Sequence, residues 1–238
     1  MTTGEGRSVL VTGGNRGIGL ETARAFAAAG DRVAVTYRSA PPPEQEGILP
    51  VQCDVTVPED VERAFKTVED AHGPVSVLVA NAGITADNLM LRMAEEEFAS
   101  VIKTNLTGTW RVAQRALRGM LTARHGRIIM VSSTAALWGS AGQTNYAAAK
   151  AGQVGLARSM AREYGPKNIT TNVVAPGLTE TDMASALSDR QRDAILGQTP
   201  IGRLVQPTEV AAAIRFLADT GAINGTVLPV DGGAGMGH

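Results

Sequence analysis

The sequence predicts one α/β domain, a doubly wound parallel sheet of about seven strands with helices on both faces. Three observations predict it. Short apolar, β-branched runs alternate with longer amphipathic stretches, the rhythm of βαβ units. Several runs are apolar at nearly every position, as parallel strands covered on both sides are. No internal repeat and no Pro-, Ser- or Gly-rich linker divides the 238 residues, so the whole of 1–238 reads as one domain.

The strands expected are Ser8–Val11, Arg32–Thr36, Ile48–Cys53, Val75–Ala80, Arg127–Ser132, Ile169–Ala175 and Thr226–Val230. Helical periodicity marks Ile18–Ala29, Glu59–Ala71, Glu95–Ala123, Asn145–Tyr164 and Thr208–Ala218. Two segments break the rhythm. Ser39–Gly47, with Pro41, Pro42 and Pro43, is too short for a helical crossover, which needs about 10–12 residues. The stretch from Gly177 to Val205, with helix-prone Met183–Leu196, reads as a lid that closes over a substrate.

Composition narrows the function. The chain is 44% hydrophobic and 19% charged, with net charge -1. It therefore has the makings of a core and lacks the basic footprint of a nucleic-acid binder. The 27 glycines follow no period, which excludes collagen-like and low-complexity readings. A lone cysteine, Cys53, permits no intrachain disulfide and suits a reducing compartment. It sits in an apolar run and reads as a small core residue. His72, His125 and His238 are far apart and no Cys/His spacing suits zinc. The polar start, Met1–Ser8, shows no signal peptide, and no apolar run is long enough to span a membrane. A cytoplasmic protein is expected.

The first strand runs into Thr12-Gly13-Gly14-Asn15-Arg16-Gly17-Ile18-Gly19, and a helix follows at once. Glycines remove Cβ atoms where backbone approaches a pyrophosphate, and the helix N-terminus supplies N–H groups and partial positive charge. This strand, glycine turn and helix mark a Rossmann-type fold. The end of the second strand is where such a fold reads the ribose 2′ position. An acidic residue there would favour NADH; this chain has Thr36-Tyr37-Arg38-Ser39. Arg38, joined by Arg16, suits a 2′-phosphate, because guanidinium donates two parallel hydrogen bonds. The cofactor read from these residues is NADPH. Two solvated surface arginines are the alternative.

Tyr146 and Lys150 are four residues apart in a helical stretch, hence on one face, one turn apart. Ser133 follows the apolar strand Ile128–Val131, at the strand end where ligands bind in open α/β sheets. Hydride transfer to a carbonyl carbon creates an alkoxide that needs a proton. A free tyrosine, with pKa about 10, is about 3 units from the useful range. An adjacent ammonium and the positive charge of an oxidised cofactor favour the phenolate. Ser133 would orient the carbonyl oxygen. Singly, these residues could be a helix-surface tyrosine, a solvated lysine and a turn former.

Thr12–Gly19, Asn81-Ala82-Gly83, Asn105, Ser133, Tyr146 with Lys150, and Pro176-Gly177 together resemble the short-chain dehydrogenase/reductase family, over essentially the whole chain. Gly83–Arg92, Gln143–Gly152, Asn172–Met183 and Val230–Gly233 resemble its 3-oxoacyl-[acyl-carrier-protein] reductase branch. The Pro-rich link Ser39–Gly47 and the Leu137-Trp138-Gly139 loop look like the long-chain, mycobacterial form of that branch. The resemblance implies reduction of 3-oxoacyl to 3-hydroxyacyl groups on an acyl carrier protein, in fatty acid elongation, by a homotetramer. It also implies roles by position. Gly13, Asn15, Arg16, Gly17, Ile18, Gly19 and Arg38 hold the cofactor phosphates. Asp54 and Val55 sit at the adenine, and Asn81, Ala82 and Gly83 along the adenosine and ribose. Tyr146 and Lys150 reach the cofactor as well as the substrate, and Pro176, Gly177 and Thr179 pack on the nicotinamide. Asn105 completes the catalytic set with Ser133, Tyr146 and Lys150, holding a water that links Lys150 to solvent. One departure is Ala80, where many relatives carry a second Asn. Read without the family, Asn81 and Asn105 could be turn or cap residues, and Asp54 a loop cap.

Apolar candidates for an acyl pocket are Leu137, Trp138, Met183 and Leu187, which could equally pack the lid on the core. Arg124, Arg127 and Lys167 are the basic residues expected to guide an acidic carrier near the mouth. The Ala- and Gly-rich helix around Ala147–Gly155, with Glu95–Ala123, is the expected subunit interface. Other functions fit the same motifs: reduction of another ketone (acetoacetyl-CoA, polyketide, sugar or steroid), or a non-catalytic NADP sensor. The Arg38 reading is checked by Arg38→Asp, which should shift the kcat/KM preference from NADPH toward NADH by roughly tenfold or more, the worth of one charge-assisted hydrogen bond. Unchanged selectivity would return Arg38 to the solvated surface.

Overall fold

In the computed structural model, the described residues are 6–181, 193, 196, 197 and 199–236. Seven parallel strands form one sheet: β1 (Ser8–Val11), β2 (Arg32–Tyr37), β3 (Ile48–Gln52), β4 (Val77–Ala80), β5 (Gly126–Val131), β6 (Ile169–Pro176) and β7 (Val227–Val230). Their order is β3-β2-β1-β4-β5-β6-β7. The helices are α1 (Gly17–Ala27), α2 (Pro58–His72), α3 (Glu95–Ile102), α4 (Thr109–Ala123), α5 (Ala135–Trp138), α6 (Thr144–Tyr164) and α7 (Pro207–Asp219).

Period-two alternation sorts the strand residues into two apolar layers. Leu10, Leu78, Ile128, Met130 and Val173 face one side, with Phe65 of α2, Met120 of α4 and Ala157 of α6. Val9, Val11, Val77, Val79, Ile129 and Val174 face the other, with Phe26 of α1 and Ile214 of α7. Helix α2 shows how the sequence reaches this arrangement. Pro58 stands in its first turn with Glu59 and Asp60, which suit the positive end of the helix dipole. Val61, Ala64, Phe65 and Val68 are buried at helical spacing, and Gly73 ends the helix at φ 76°. Both edge strands, β3 and β7, carry a proline, Pro50 and Pro229, which removes a donor from each edge.

β1 pairs with β2 on one side and β4 on the other. The chain thus leaves β1 and β4 in opposite directions, opening a crevice at their carboxyl ends. The glycine turn, the segment after β4 and Ser133 all emerge there.

Several boundaries differ from expectation. The helix expected over Glu95–Ala123 is interrupted by a π turn, Lys103–Gly108, leaving α3 and α4 on either side. Two glycines make room for it. A Cβ on Gly108 would come within 2.7 Å of Val55, and one on Gly152 of α6 within 2.8 Å of Leu106. The four-residue α5 and the 3₁₀ turn Met90–Arg92 were not expected. The Ser39–Gly47 link contains no helix, as its length requires. Of the expected lid, only the ends can be described. They meet in a short parallel bridge, Thr179 with Val205. Met183, Leu187 and most of 183–196 lie outside the described residues, as does His238.

Candidate active site

The glycine turn is latched to β4. Thr12 Oγ1 accepts hydrogen bonds from the backbone N–H groups of Asn81 (3.0 Å) and Ala82 (3.1 Å). Asn81 Nδ2 donates to the carbonyls of Thr12 (3.0 Å) and Gly13 (2.9 Å). Only glycine fits at two places here. Gly13 has φ +64°, and its Cβ would lie 2.9 Å from Ala82 Cα; a Cβ on Gly19 would lie 2.6 Å from Asn81 Nδ2. Gly17 and Ile18 open α1, so their N–H groups stand at its unpaired end.

The turn is also tied to the end of β2. Gly13 and Gly14 donate to Thr36, one to its hydroxyl and one to its carbonyl, and Asn15 Nδ2 donates to Ala40 O (3.3 Å). Arg16 and Arg38, both exposed, therefore stand on neighbouring segments at one mouth of the crevice. Beyond β3, Asp54 Oδ1 accepts from Thr56 N (2.8 Å), a local turn, while Val55 is buried. Cys53 is buried too, and burial pushes its thiol up to about 12, with Asp60 and Asp54 adding to it. That is the behaviour of a core residue.

Ser133 follows β5, and its hydroxyl accepts from Ala135 N (3.1 Å), opening α5. Tyr146 and Lys150 lie on α6, whose start is fixed by the loop after β4. Asn145 Nδ2 donates to Ala86 O (2.8 Å), Gln143 Nε2 to Asp87 Oδ2 (2.8 Å), and Asn88 N to Gly142 O (2.9 Å). Lys150 Nζ lies 5.5 Å from the centre of the Tyr146 ring and donates to Val131 O (2.7 Å). Ser132 Oγ donates to Lys150 O (2.9 Å). β5 and α6 are thus stitched together at the residues in question.

Electrostatically, the protein works against the expected acidic tyrosine. Burial pushes the Tyr146 hydroxyl up to about 12, Ser133 pulls it down by hydrogen bonding, and Asp87 pushes it up. Burial alone lowers Lys150 to about 8. At neutral pH the site therefore holds a protonated tyrosine beside a lysine close to losing its charge.

Asn105 lies in the π turn, with no exposure. Its Oδ1 accepts from Ile84 N (2.8 Å) and its Nδ2 donates to Ile84 O (2.9 Å). Its main-chain carbonyl accepts from Thr109 Oγ1 (2.8 Å) and Gln153 Nε2 (2.7 Å). Asn105 is a brace between the π turn, α6 and the loop after β4. A Cβ on Gly83 would lie 3.3 Å from Asn105 Oδ1 and 3.6 Å from Lys150 Nζ, so both groups border the same spot.

Pro176 ends β6, Gly177 N donates to Val230 O, and Thr179 Oγ1 donates to Gly177 O (3.0 Å). Trp138 is 41% exposed, and its ring packs on the backbone of Gly235, in a terminal turn held by Asp231. The basic trio departs from expectation. Arg124 and Arg127 precede or open β5 and Lys167 precedes β6. Parallel strands place all three at the amino ends of the strands, opposite Ser133, with Arg127 about 20 Å away along the strand. Arg127 is also buried, donating to Gly126 O and Asn168 O. These residues do not flank the mouth of this chain's own crevice. Among the described residues no His, Cys, Asp and Glu group could hold a metal ion, and no helix is long and apolar enough to cross a membrane.

A doubly wound sheet with a glycine turn at its switch point and a half-buried tyrosine beside a buried lysine at the adjoining strand end defines an oxidoreductase of the dinucleotide-binding class. The chain belongs to the short-chain dehydrogenase/reductase family: residues 13–235 match the family described as "Enoyl-(Acyl carrier protein) reductase". It is 53% identical to 3-oxoacyl-[acyl-carrier-protein] reductase MabA of Mycobacterium tuberculosis over 234 residues, covering 98% of this chain and 94% of the relative. The MabA protein of Mycobacterium avium is 52% identical, with 98% and 91% covered. 3-Oxoacyl-[acyl-carrier-protein] reductase FabG of Escherichia coli is 44% identical over 243 residues, with 98% of each covered.

The charge of Lys150 is open to measurement. Its pKa is lowered from 10.5 to about 8, so folding penalises the cation fully below pH 8 and not at all above the unfolded value. Replacing it with methionine should remove a penalty of roughly 3 kcal/mol at pH 7 and little at pH 10. Chemical denaturation of Lys150→Met and wild type at both pH values checks this; an equal difference at the two would contradict it.

Proposed function

We propose that this chain reduces 3-oxoacyl-[acyl-carrier-protein] to the 3-hydroxyacyl product, using NADPH, in fatty acid elongation. The convergence of Ser133, Tyr146 and Lys150 beside the switch-point crevice carries the reading. The names of relatives 44–53% identical over nearly the whole chain support the substrate.

Residues of this chain fit a dinucleotide. Gly13 and Gly19 let the turn close tightly on Ala82 and Asn81, and Gly17, Ile18 and Gly19 offer helix-start N–H groups to a pyrophosphate. Asn15 and Arg16 border it. Arg38, with Arg16, would take the 2′-phosphate that separates NADPH from NADH. Asp54 and Val55 would face the adenine, and Asn81, Ala82 and Gly83 the adenosine and ribose. Tyr146 and Lys150 would reach the ribose beside the nicotinamide, with Pro176, Gly177 and Thr179 against the ring. When bound, the cofactor supplies a hydride to the 3-carbonyl carbon.

The protein's part is proton transfer and orientation. Ser133 donates a hydrogen bond to the carbonyl oxygen. Tyr146, held protonated by burial, gives its hydroxyl proton to that oxygen as negative charge develops there. The phenolate left behind is stabilised by the Lys150 ammonium, since an opposite charge favours the ionised form. Asn105, in this scheme, holds the loop after β4 and so the shape of the Lys150 pocket. The free, buried Cys53 fits a cytoplasmic setting. The family description points to a second reading, reduction of an enoyl double bond. The names of the relatives favour the ketone.

The deciding assay follows NADPH absorbance with acetoacetyl and longer 3-oxoacyl thioesters, with crotonyl thioester alongside. We expect oxidation with the 3-oxo substrates, none with crotonyl, and a loss of at least about 10²-fold in Tyr146→Phe, the typical worth of a positioned general acid. NADPH binding without oxidation of any 3-oxoacyl thioester would sink the reading. A homotetramer is part of the proposal. The half-exposed Trp110 and Leu121 of α4 support a helical interface. Sedimentation should give four chains; a monomer would remove it.

A further inference from the structure

Helix α6 carries a third buried polar residue in line with Tyr146 and Lys150. Gln153 follows Lys150 by three residues, so the three side chains share one face. Gln153 has no exposure. Its Nε2 donates to the main-chain carbonyl of Asn105 (2.7 Å) and to Thr109 Oγ1 (3.0 Å). The carboxamide cannot be turned round, because the Asn105 carbonyl has no proton to give and needs a donor opposite it. Its Oε1 is buried without a hydrogen-bond partner. An apolar side chain would avoid that cost and fill the same space. The amide donor, not the volume, is what the position uses.

The donor meets the π turn at its most consequential atom. Lys103–Gly108 contains one residue more per turn than an α-helix tolerates. Were it to rewind, residues in the turn would rotate by about 100°. Asn105 would then leave Ile84, whose N–H and carbonyl it now holds, and its Oδ1 would leave the spot at Gly83 that Lys150 Nζ also borders.

We propose that Gln153 is a positioning residue of the reductase site: its buried amide pins the Asn105 carbonyl, keeps the π turn wound, and so holds Asn105 beside Lys150. The effect on rate rests on the reductase reading above; the effect on the turn does not.

The test uses full-length wild type, Gln153→Leu and Gln153→Met, the second an unbranched side chain in case leucine fits badly. Hydrogen–deuterium exchange of segment 103–109 is followed in protein without cofactor, and kcat and KM are measured with NADPH and an acetoacetyl thioester. In both variants, exchange in 103–109 should quicken by about tenfold while the strands keep their protection. Their kcat should fall about tenfold and KM for NADPH stay within about twofold, as misplacement remote from the bound groups predicts. Unchanged exchange with kcat within about twofold of wild type would overturn the proposal. So would faster exchange across the whole sheet with kcat and KM changing together, which marks a folding role. If wild type itself oxidises no NADPH, the reductase reading fails and the exchange result still decides the turn.

Discussion

The Thr12 hydroxyl, which takes two N–H groups from the far side of the β1–β4 seam, is the contact on which the site most depends. β1 and β4 are neighbours in space but remote in sequence, with 69 positions between Thr12 and Asn81 at their bond. Pairing them creates the crevice, and the latch of Thr12 and Asn81 sets how the two exits from it face each other. Each such bond has a modest net worth, about 1 kcal/mol. Their combined effect is geometric, because the glycine turn cannot swing while Asn81 holds both of its first carbonyls. The resemblance gave Asn81 a place along the cofactor; the structure gives its carboxamide a bracing task within the protein.

The side of the crevice that holds Tyr146 and Lys150 is organised differently, by burial of polar groups that an economical core would exclude. Lys150 is 3% exposed and Asn105 and Gln153 are fully enclosed. The unsatisfied Gln153 oxygen alone costs roughly 1–3 kcal/mol. The compensation is direction. Lys150 is tied to Val131 O and Asn105 to Ile84, so neither can turn away from the spot beside Gly83. A low-dielectric pocket makes the Lys150 charge matter more to its neighbour, while the same burial draws that charge toward neutrality.

Most of this architecture was legible because it follows from periodicity and spacing. Continuous apolar runs marked the buried strands, and the Tyr146–Lys150 interval alone placed both on one helix face. What escaped depends on packing across distant elements. Nothing local in Lys103–Gly108 announces a π turn; it arises because Gly108 admits Val55 and Gly152 admits Leu106. Gln153 could have been noticed as a polar residue on the face shared with Lys150, yet its partners, Asn105 and Thr109, lie more than forty residues earlier. Arg124, Arg127 and Lys167 were misplaced for a simpler reason. Being near the right strands is not enough, because a parallel strand has two ends and only the carboxyl end meets the site. The rise of burial over charge at Tyr146 likewise needs three-dimensional surroundings that spacing does not contain.

The prolines at the two borders of the sheet bear on how such a molecule reaches its shape. Its central seam joins segments remote along the chain, and topologies of that kind assemble slowly. During the delay, partly formed strands present open hydrogen-bonding rims to other nascent chains, a route to aggregation. Pro50 and Pro229 interrupt the donor row on the last strand at either side. The final sheet gains little from them. The crowded, half-assembled population gains a great deal, since its outermost strands make poor templates for a neighbour.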